Sequence, residues 1–198
     1  MAARPSVVIL AGPNGAGKST FAPRLLRQAS LDVGLFINAD EIAAERSPTD
    51  PAGAALAAGR EMLSRLHELA EHRQSFAFET TLASRHFAPW LQGLIESGYS
   101  VGILFLWLPT ADAAVARVKS RVLLGGHDVP EAVIRRRYHR GLRNFFELYQ
   151  PLATNWRVYD SAVNLDPFLI AAGTGRTVAD VTDPVTWEHI RRGTHGRE

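Results

Sequence analysis

An apolar run at residues 7–10 stops against the octapeptide Gly12-Pro-Asn-Gly-Ala-Gly-Lys-Ser19. That junction constrains the fold more than any other part of the chain. The octapeptide fits G-x-x-x-x-G-K-[ST] in every position, a pattern whose glycines let backbone N–H groups turn inward around an anion. Such a loop works where a β-strand passes into the N-terminus of an α-helix, because the helix end adds positive potential. A strand followed directly by a helix pairs in parallel with its neighbours, so the loop calls for an α/β sheet covered on both faces.

The remaining sequence supplies such a sheet. Apolar β-type runs recur at residues 7–10, 35–37, 76–78, 101–108 and 157–159, with helical patterns at 18–28, 53–72, 87–97, 111–123 and 131–149. Strands alternating with helices predict βαβ crossovers and a mainly parallel sheet. The fold class expected is therefore the three-layer α/β sandwich of P-loop NTPases, as a single domain over residues 1–198. In the tail, "PFLIAAG" and "RTVADV" read as a small hairpin, "PVTWEHIRR" as a short last helix, and "GTHGRE" as a frayed end. The 198 residues include no cysteine, which excludes disulfides and a thiolate nucleophile. No apolar run is long enough to span a bilayer, and "MAARPSVV" lacks the features of a secretory signal. A cytoplasmic location is expected, with no membrane partner.

Within the loop, Lys18 is expected to reach the β- and γ-phosphates of ATP. Ser19 is expected to ligate Mg²⁺, and Thr20 to lie near the α-phosphate, while Gly12, Asn14, Gly15, Ala16 and Gly17 complete the cradle. "LFINADEIA" places Asp40 just past the second strand, at the carboxyl end where open parallel sheets bind ligands. A carboxylate there either takes a proton from an attacking hydroxyl or caps the helix starting near Glu41. Asn38 and Glu41 are weaker candidates for the same roles. "SFAFETTLAS" ends the third strand on Glu79, Thr80 and Thr81, which again face the crevice unless the threonines and Ser84 serve as helix caps. Arg60 and Glu61, near the start of an amphipathic helix, are either pocket residues or solvent-facing charges.

Eight basic residues fall between Arg117 and Arg143 against two acids, Asp128 and Glu131, although the formal net charge is only +2. The cluster is either a solvated face or a polyanion-binding surface. "LLGGHDVP" predicts a bend between two helices, with Asp128 or a neighbour capping the second. The pair reads as an arginine-bearing lid over phosphates (about residues 111–149) or as an ordinary helical hairpin. As a lid, it supplies guanidinium groups that stabilise charge on a transferring phosphoryl group.

With "GPNGAGKST", "INADEIA", "AFETTLAS", "GGHDVPEAVIRRRYHRGLRNFF" and "YQPLATNWRVYDSA" in this order, the chain resembles the zeta-toxin family of small P-loop kinases over about residues 7–160. The resemblance implies an ATP- and Mg²⁺-dependent kinase acting on a hydroxyl of a sugar nucleotide such as UDP-N-acetylglucosamine. It implies Lys18 and Asp40 as catalytic lysine and base, and Arg121 with Arg136 as the paired lid arginines. Arg137 or Arg135 is the alternative second arginine. Glu79, Thr80 and Thr81, with Asp40 and Arg60, are then the acceptor-binding group. It also implies a separate antitoxin protein as a possible partner. Two other readings stay open: a kinase of a simple sugar, sugar acid or nucleoside, and a nucleotide-regulated module that grips nucleic acid. The low net charge and the lack of a nucleic-acid motif argue against the last.

Overall fold

A computed structural model of the chain describes residues 4–28, 35–162 and 166–193. The first apolar run forms β1 (Ser6–Ala11), and α1 (Lys18–Gln28) starts at the loop lysine. Then follow β2 (Phe36–Ile37), α2 (Ala39–Arg46), α3 (Pro51–Glu71), β3 (Phe76–Thr80), α4 (Phe87–Glu96) and β4 (Ser100–Trp107). Two helices, α5 (Ala111–Leu123) and α6 (Glu131–Asn144), precede β5 (Asn155–Asp160), β6 (Phe168–Thr174), β7 (Thr177–Val181) and α7 (Pro184–Gly193). The strands form one sheet in the order β2-β3-β1-β4-β5-β6-β7, parallel from β2 to β5. This is the α/β sandwich with the mainly parallel sheet that the loop demanded.

Side chains alternate across β1 with the two-residue period of a strand. Val7 and Ile9 join a core layer with Met62 and Leu66 of α3, Leu91 of α4, and Trp187 of α7. Val8 and Leu10 join the opposite layer with Leu25 and Leu26 of α1, Val115 and Val118 of α5, and Ile134 of α6. Burial on both faces explains why the strands read as continuous apolar runs rather than alternating ones.

The tail hairpin and last helix form where the sequence placed them. β6 pairs antiparallel with β5, so the hairpin extends the main sheet instead of standing apart. Trp187 of α7 stacks on Trp156 of β5 with ring centroids 5.6 Å apart, fastening the tail to the core. The expectations for residues 163–165 and 194–198 lie outside the described residues. Among the described residues, no helix is long and apolar enough to cross a membrane.

Two local expectations need correction. The pattern at 131–149 is not one α-helix: α6 ends at Asn144, a π-helical turn covers Phe145–Tyr149, and a 3₁₀ turn covers Gln150–Leu152. The wider turn seats both Phe145 and Tyr149 in the core, and Pro151, without an N–H, keeps the chain from returning to an α-helix. Nor does Asp128 cap α6. Its carboxylate accepts from the Val129 N–H, and α6 starts on Pro130, whose carbonyl accepts from the N–H groups of Val133 and Ile134.

Gly141 sets how closely α6 approaches the β3 loop, because a Cβ there would overlap the backbone carbonyl of Thr81. A backbone carbonyl cannot rotate aside as a side chain does. Gly141→Ala is expected to cost about 1–3 kcal/mol of stability, read as a lower urea midpoint at unchanged slope. A wild-type midpoint would mean that the loop yields freely.

Candidate active site

The phosphate loop is shaped by left-handed backbone at Gly15 (φ 80°) and Gly17 (φ 76°), a region that residues with a Cβ rarely enter. Ala16 donates its N–H to the Pro13 carbonyl at 3.2 Å, closing the turn. Lys18 is buried, with its ammonium 3.0 Å from the Pro13 carbonyl and 3.6 Å from Glu79 Oε1. The parallel register sets Leu10 beside Glu79 and Ala11 beside Thr80, which carries the end of β3 to the loop. Ser19 Oγ donates to Glu79 Oε2 at 2.8 Å, and Asn38 Nδ2 donates to the same oxygen at 3.2 Å.

Asn38, rather than Asp40, caps α2: its Oδ1 accepts from the Asp40 N–H at 2.9 Å. The Asp40 carboxylate is thereby left exposed in the first turn of the helix, so the capping alternative does not hold. Glu41 next to it is held above the usual carboxylate range by burial, reinforced by the charges of Glu79, Glu45 and Asp40. The capping alternative for Thr80 and Ser84 also fails. Thr80 Oγ1 accepts from the Leu82 N–H, and Ser84 Oγ lies 2.5 Å from His86 Nδ1, while α4 has no side-chain cap.

Two cavities meet here. One, of about 450 Å³, lies over the loop and is lined by Gly15, Gly17, Ser19 and Thr20 below and by Arg117 and Arg121 of α5 above. The other, of about 400 Å³, is lined by Arg60, Thr80, Thr81, His86 and Arg137, with an apolar wall from Leu56, Met62 and Phe87. Asn14, Lys18, Asp40 and Glu79 line both. Of the remaining loop positions, Ala16 is buried in the core beneath and Gly12 packs on the Leu106 carbonyl.

Arg117 donates to the carbonyls of Gly15 (3.4 Å) and Ala162 (3.0 Å), holding α5 against the loop. Arg121 Nη2 donates to the His127 carbonyl at 2.6 Å, and Arg121 lines the loop cavity. Among the described residues, the buried side-chain polar atoms without a partner are Arg121 Nε and Asn14 Oδ1, and both residues border that cavity. The other basic residues diverge. Arg135 pairs with Glu131 and Asp112, and Lys119 with Glu131. Arg136 is exposed and lines neither cavity, whereas Arg137, one position on, lines the second one together with Asp40. Glu61 is taken up by Arg46 and Arg65.

Sequence reasoning missed His86, Leu56 and Phe87 as lining groups. His86 had no local signal beyond its nearness to the polar strand end. Burial lowers its pKa, which favours the neutral ring. A magnesium ion fits the donors present: the Ser19 hydroxyl and the Glu79 carboxylate are 2.8 Å apart, and this hard cation takes one or two such oxygens alongside phosphate and water.

A protein of Haemophilus influenzae is 30% identical over 132 residues, 66% of this chain and 91% of that one. The AvrRxo1-ORF1:AvrRxo1-ORF2 complex with sulphate ions shares the fold at TM-score 0.73 and 16% identity. That match covers 96% of this chain but 64% of the other, so the chain spans less than two thirds of the solved protein it matches. The PezAT chromosomal toxin–antitoxin system of Streptococcus pneumoniae matches at TM-score 0.64 and 16% identity, covering 98% of this chain and 86% of that one. Residues 7–143, which hold the phosphate loop, Asp40, Glu79 and the arginine hairpin, match the family model described as an AAA domain, and the chain belongs to that family.

Proposed function

We propose that this protein is an ATP-dependent kinase of zeta-toxin type that transfers the γ-phosphoryl group to a hydroxyl of a small molecule. A sugar nucleotide such as UDP-N-acetylglucosamine is the acceptor class this reading favours. The observation that carries it is the meeting of two cavities at Lys18, Asp40 and Glu79. A nucleotide switch or simple ATPase needs the first cavity only. A kinase needs a second that opens on the same lysine.

In this reading the loop and α1 hold the polyphosphate, and Lys18 turns from Glu79 toward the β- and γ-phosphates. Ser19 and Glu79 hold Mg²⁺, which when bound offsets charge on the phosphate oxygens. Asp40 accepts the proton of the acceptor hydroxyl as it attacks phosphorus, and ADP leaves on the opposite side. Arg121, reaching in from α5, and Arg137, from α6, stabilise charge on the transferring group. Arg60, Thr80 and Thr81 orient the acceptor against the apolar wall. The AvrRxo1 complex has also been crystallised with ATP, which supports the nucleotide assignment. PezAT is a toxin–antitoxin system, which supports a separate antitoxin protein as partner.

Asp40→Asn keeps the shape of the site and removes the base. Phosphoryl transfer is expected to fall by about 10²–10⁴-fold while the affinity for a non-hydrolysable ATP analogue stays within about threefold of wild type. Full transfer activity in this variant would remove Asp40 from the chemistry. Lys18→Ala is expected to weaken both, since it strips the loop of its cation, and isothermal titration with the analogue reads the loss.

A pool of UDP-sugars, simple sugars and nucleosides incubated with ATP separates the acceptor classes by mass spectrometry. A UDP-sugar heavier by one phosphate is the expected product. A phosphorylated simple sugar beside untouched UDP-sugars would shift the assignment to a metabolite kinase.

A further inference from the structure

The loop at residues 81–86 serves two hollows. It gives Thr81 and His86 to the acceptor cavity, and Ala83, Ser84 and Arg85 to a third cavity of about 720 Å³, larger than either half of the proposed active site. The opposite wall of this third cavity is the end of α6, where Arg140 and Arg143 lie at i and i+3 and so share a face. Three guanidinium groups line it against one carboxylate, Glu147.

The contrast with the other basic residues of the hairpin is informative. Lys119 and Arg135 are neutralised by Glu131 and Asp112, as a solvated charged face requires. Among the described residues, neither Arg85 nor Arg140 forms an ion pair. An anion entering the hollow therefore meets two guanidinium groups, those of Arg85 and Arg140, that no acid of the fold has already neutralised.

The floor of the hollow is rigid. Gly141 packs on the Thr81 carbonyl, Asn144 Nδ2 donates to the Leu82 carbonyl at 2.8 Å, and Tyr149 donates to the Ser84 carbonyl at 2.5 Å. Burial pushes the Tyr149 phenol up to about 12, so it remains a donor at neutral pH. Leu82 is held at φ 55°, a left-handed conformation that is costly outside glycine and persists only where the surroundings enforce it. The π-helical turn that follows Asn144 supplies Tyr149 to this floor, and such turns recur at functional sites.

We propose that this cleft is a binding site for a phosphate-bearing group, held by Arg85, Arg140 and Arg143. Guanidinium forks match phosphate oxygens in pairs, and a preset floor lowers the ordering cost of binding. The group belongs either to the distal part of the acceptor or to a separate phosphorylated ligand.

Inorganic pyrophosphate is the probe, titrated calorimetrically at low ionic strength into wild type, Lys18→Ala and the double variant Arg85→Ala/Arg140→Ala. Arg85 and Arg140 are exposed, so the double variant should melt at the wild-type temperature. Two equivalents are expected in wild type. Lys18→Ala weakens the equivalent at the phosphate loop, and the double variant weakens the other by about tenfold or more. The proposal is overturned if the double variant binds pyrophosphate with wild-type affinity and stoichiometry, or if wild type binds nothing beyond the equivalent lost in Lys18→Ala. This arm stands whether or not the kinase reading holds. Repeating the wild-type titration with UDP-N-acetylglucosamine present identifies the source. Competition at the cleft assigns the phosphate to the acceptor, and undisturbed binding assigns it to a separate ligand.

Discussion

The site depends on one buried ion pair. An ammonium group taken out of water is strongly destabilising unless a countercharge and hydrogen-bond acceptors go with it. Lys18 is 6% exposed, and it is compensated by the Pro13 carbonyl and by Glu79, itself 10% exposed. The strand beside β1, β3, supplies an acid at this level. The register sets Leu10 against Glu79, and the same carboxylate then gathers Ser19 and Asn38. Asn38 in turn caps α2 and leaves Asp40 unspent at its first turn. The polar constellation thus follows from the need to shelter one lysine, and phosphate oxygens replacing Glu79 would meet the same need.

Pairing also sorts the basic run of the α5–α6 hairpin. Residues near Glu131 and Asp112 are consumed in exposed ion pairs, each worth little on its own. Arg117 is used on the carbonyls of Gly15 and Ala162, and Arg121 donates to the His127 carbonyl while lining the loop cavity. The hairpin itself is tied down by Tyr138, whose hydroxyl donates to the Leu108 carbonyl at 2.8 Å. With a helical repeat of 3.6 residues, adjacent arginines point about 100° apart. Arg135, Arg136 and Arg137 therefore meet three different surroundings: acids, solvent and the second cavity.

Much of this was legible in the chain. The apolar runs and the loop gave the strands and the sheet direction because fully buried parallel strands are apolar throughout. Asp40 and Glu79 were legible as crevice residues because strand carboxyl ends converge on one edge of such a sheet. His86 was not, since its role depends on how the loop after β3 folds back. The break of the last lid helix was not either, because Phe145 and Tyr149 keep a helical spacing and only the core they enter demands the wider turn.

The sequence by itself determined a phosphate-cradling strand–loop–helix, its place in a parallel α/β sheet, and the carboxylates at the strand ends. These follow from backbone conformation and side-chain period, which are local. Tertiary structure alone decided which arginine of a contiguous tract lines the second cavity and that Asn38 rather than Asp40 caps α2. It also decided that two cavities share Lys18, and that the loop after β3 is pinned by Gly141, Asn144 and Tyr149. Those outcomes turn on contacts between residues far apart in the chain. Ångström-scale approach and the pairing of buried charge choose among positions that local patterning treats alike.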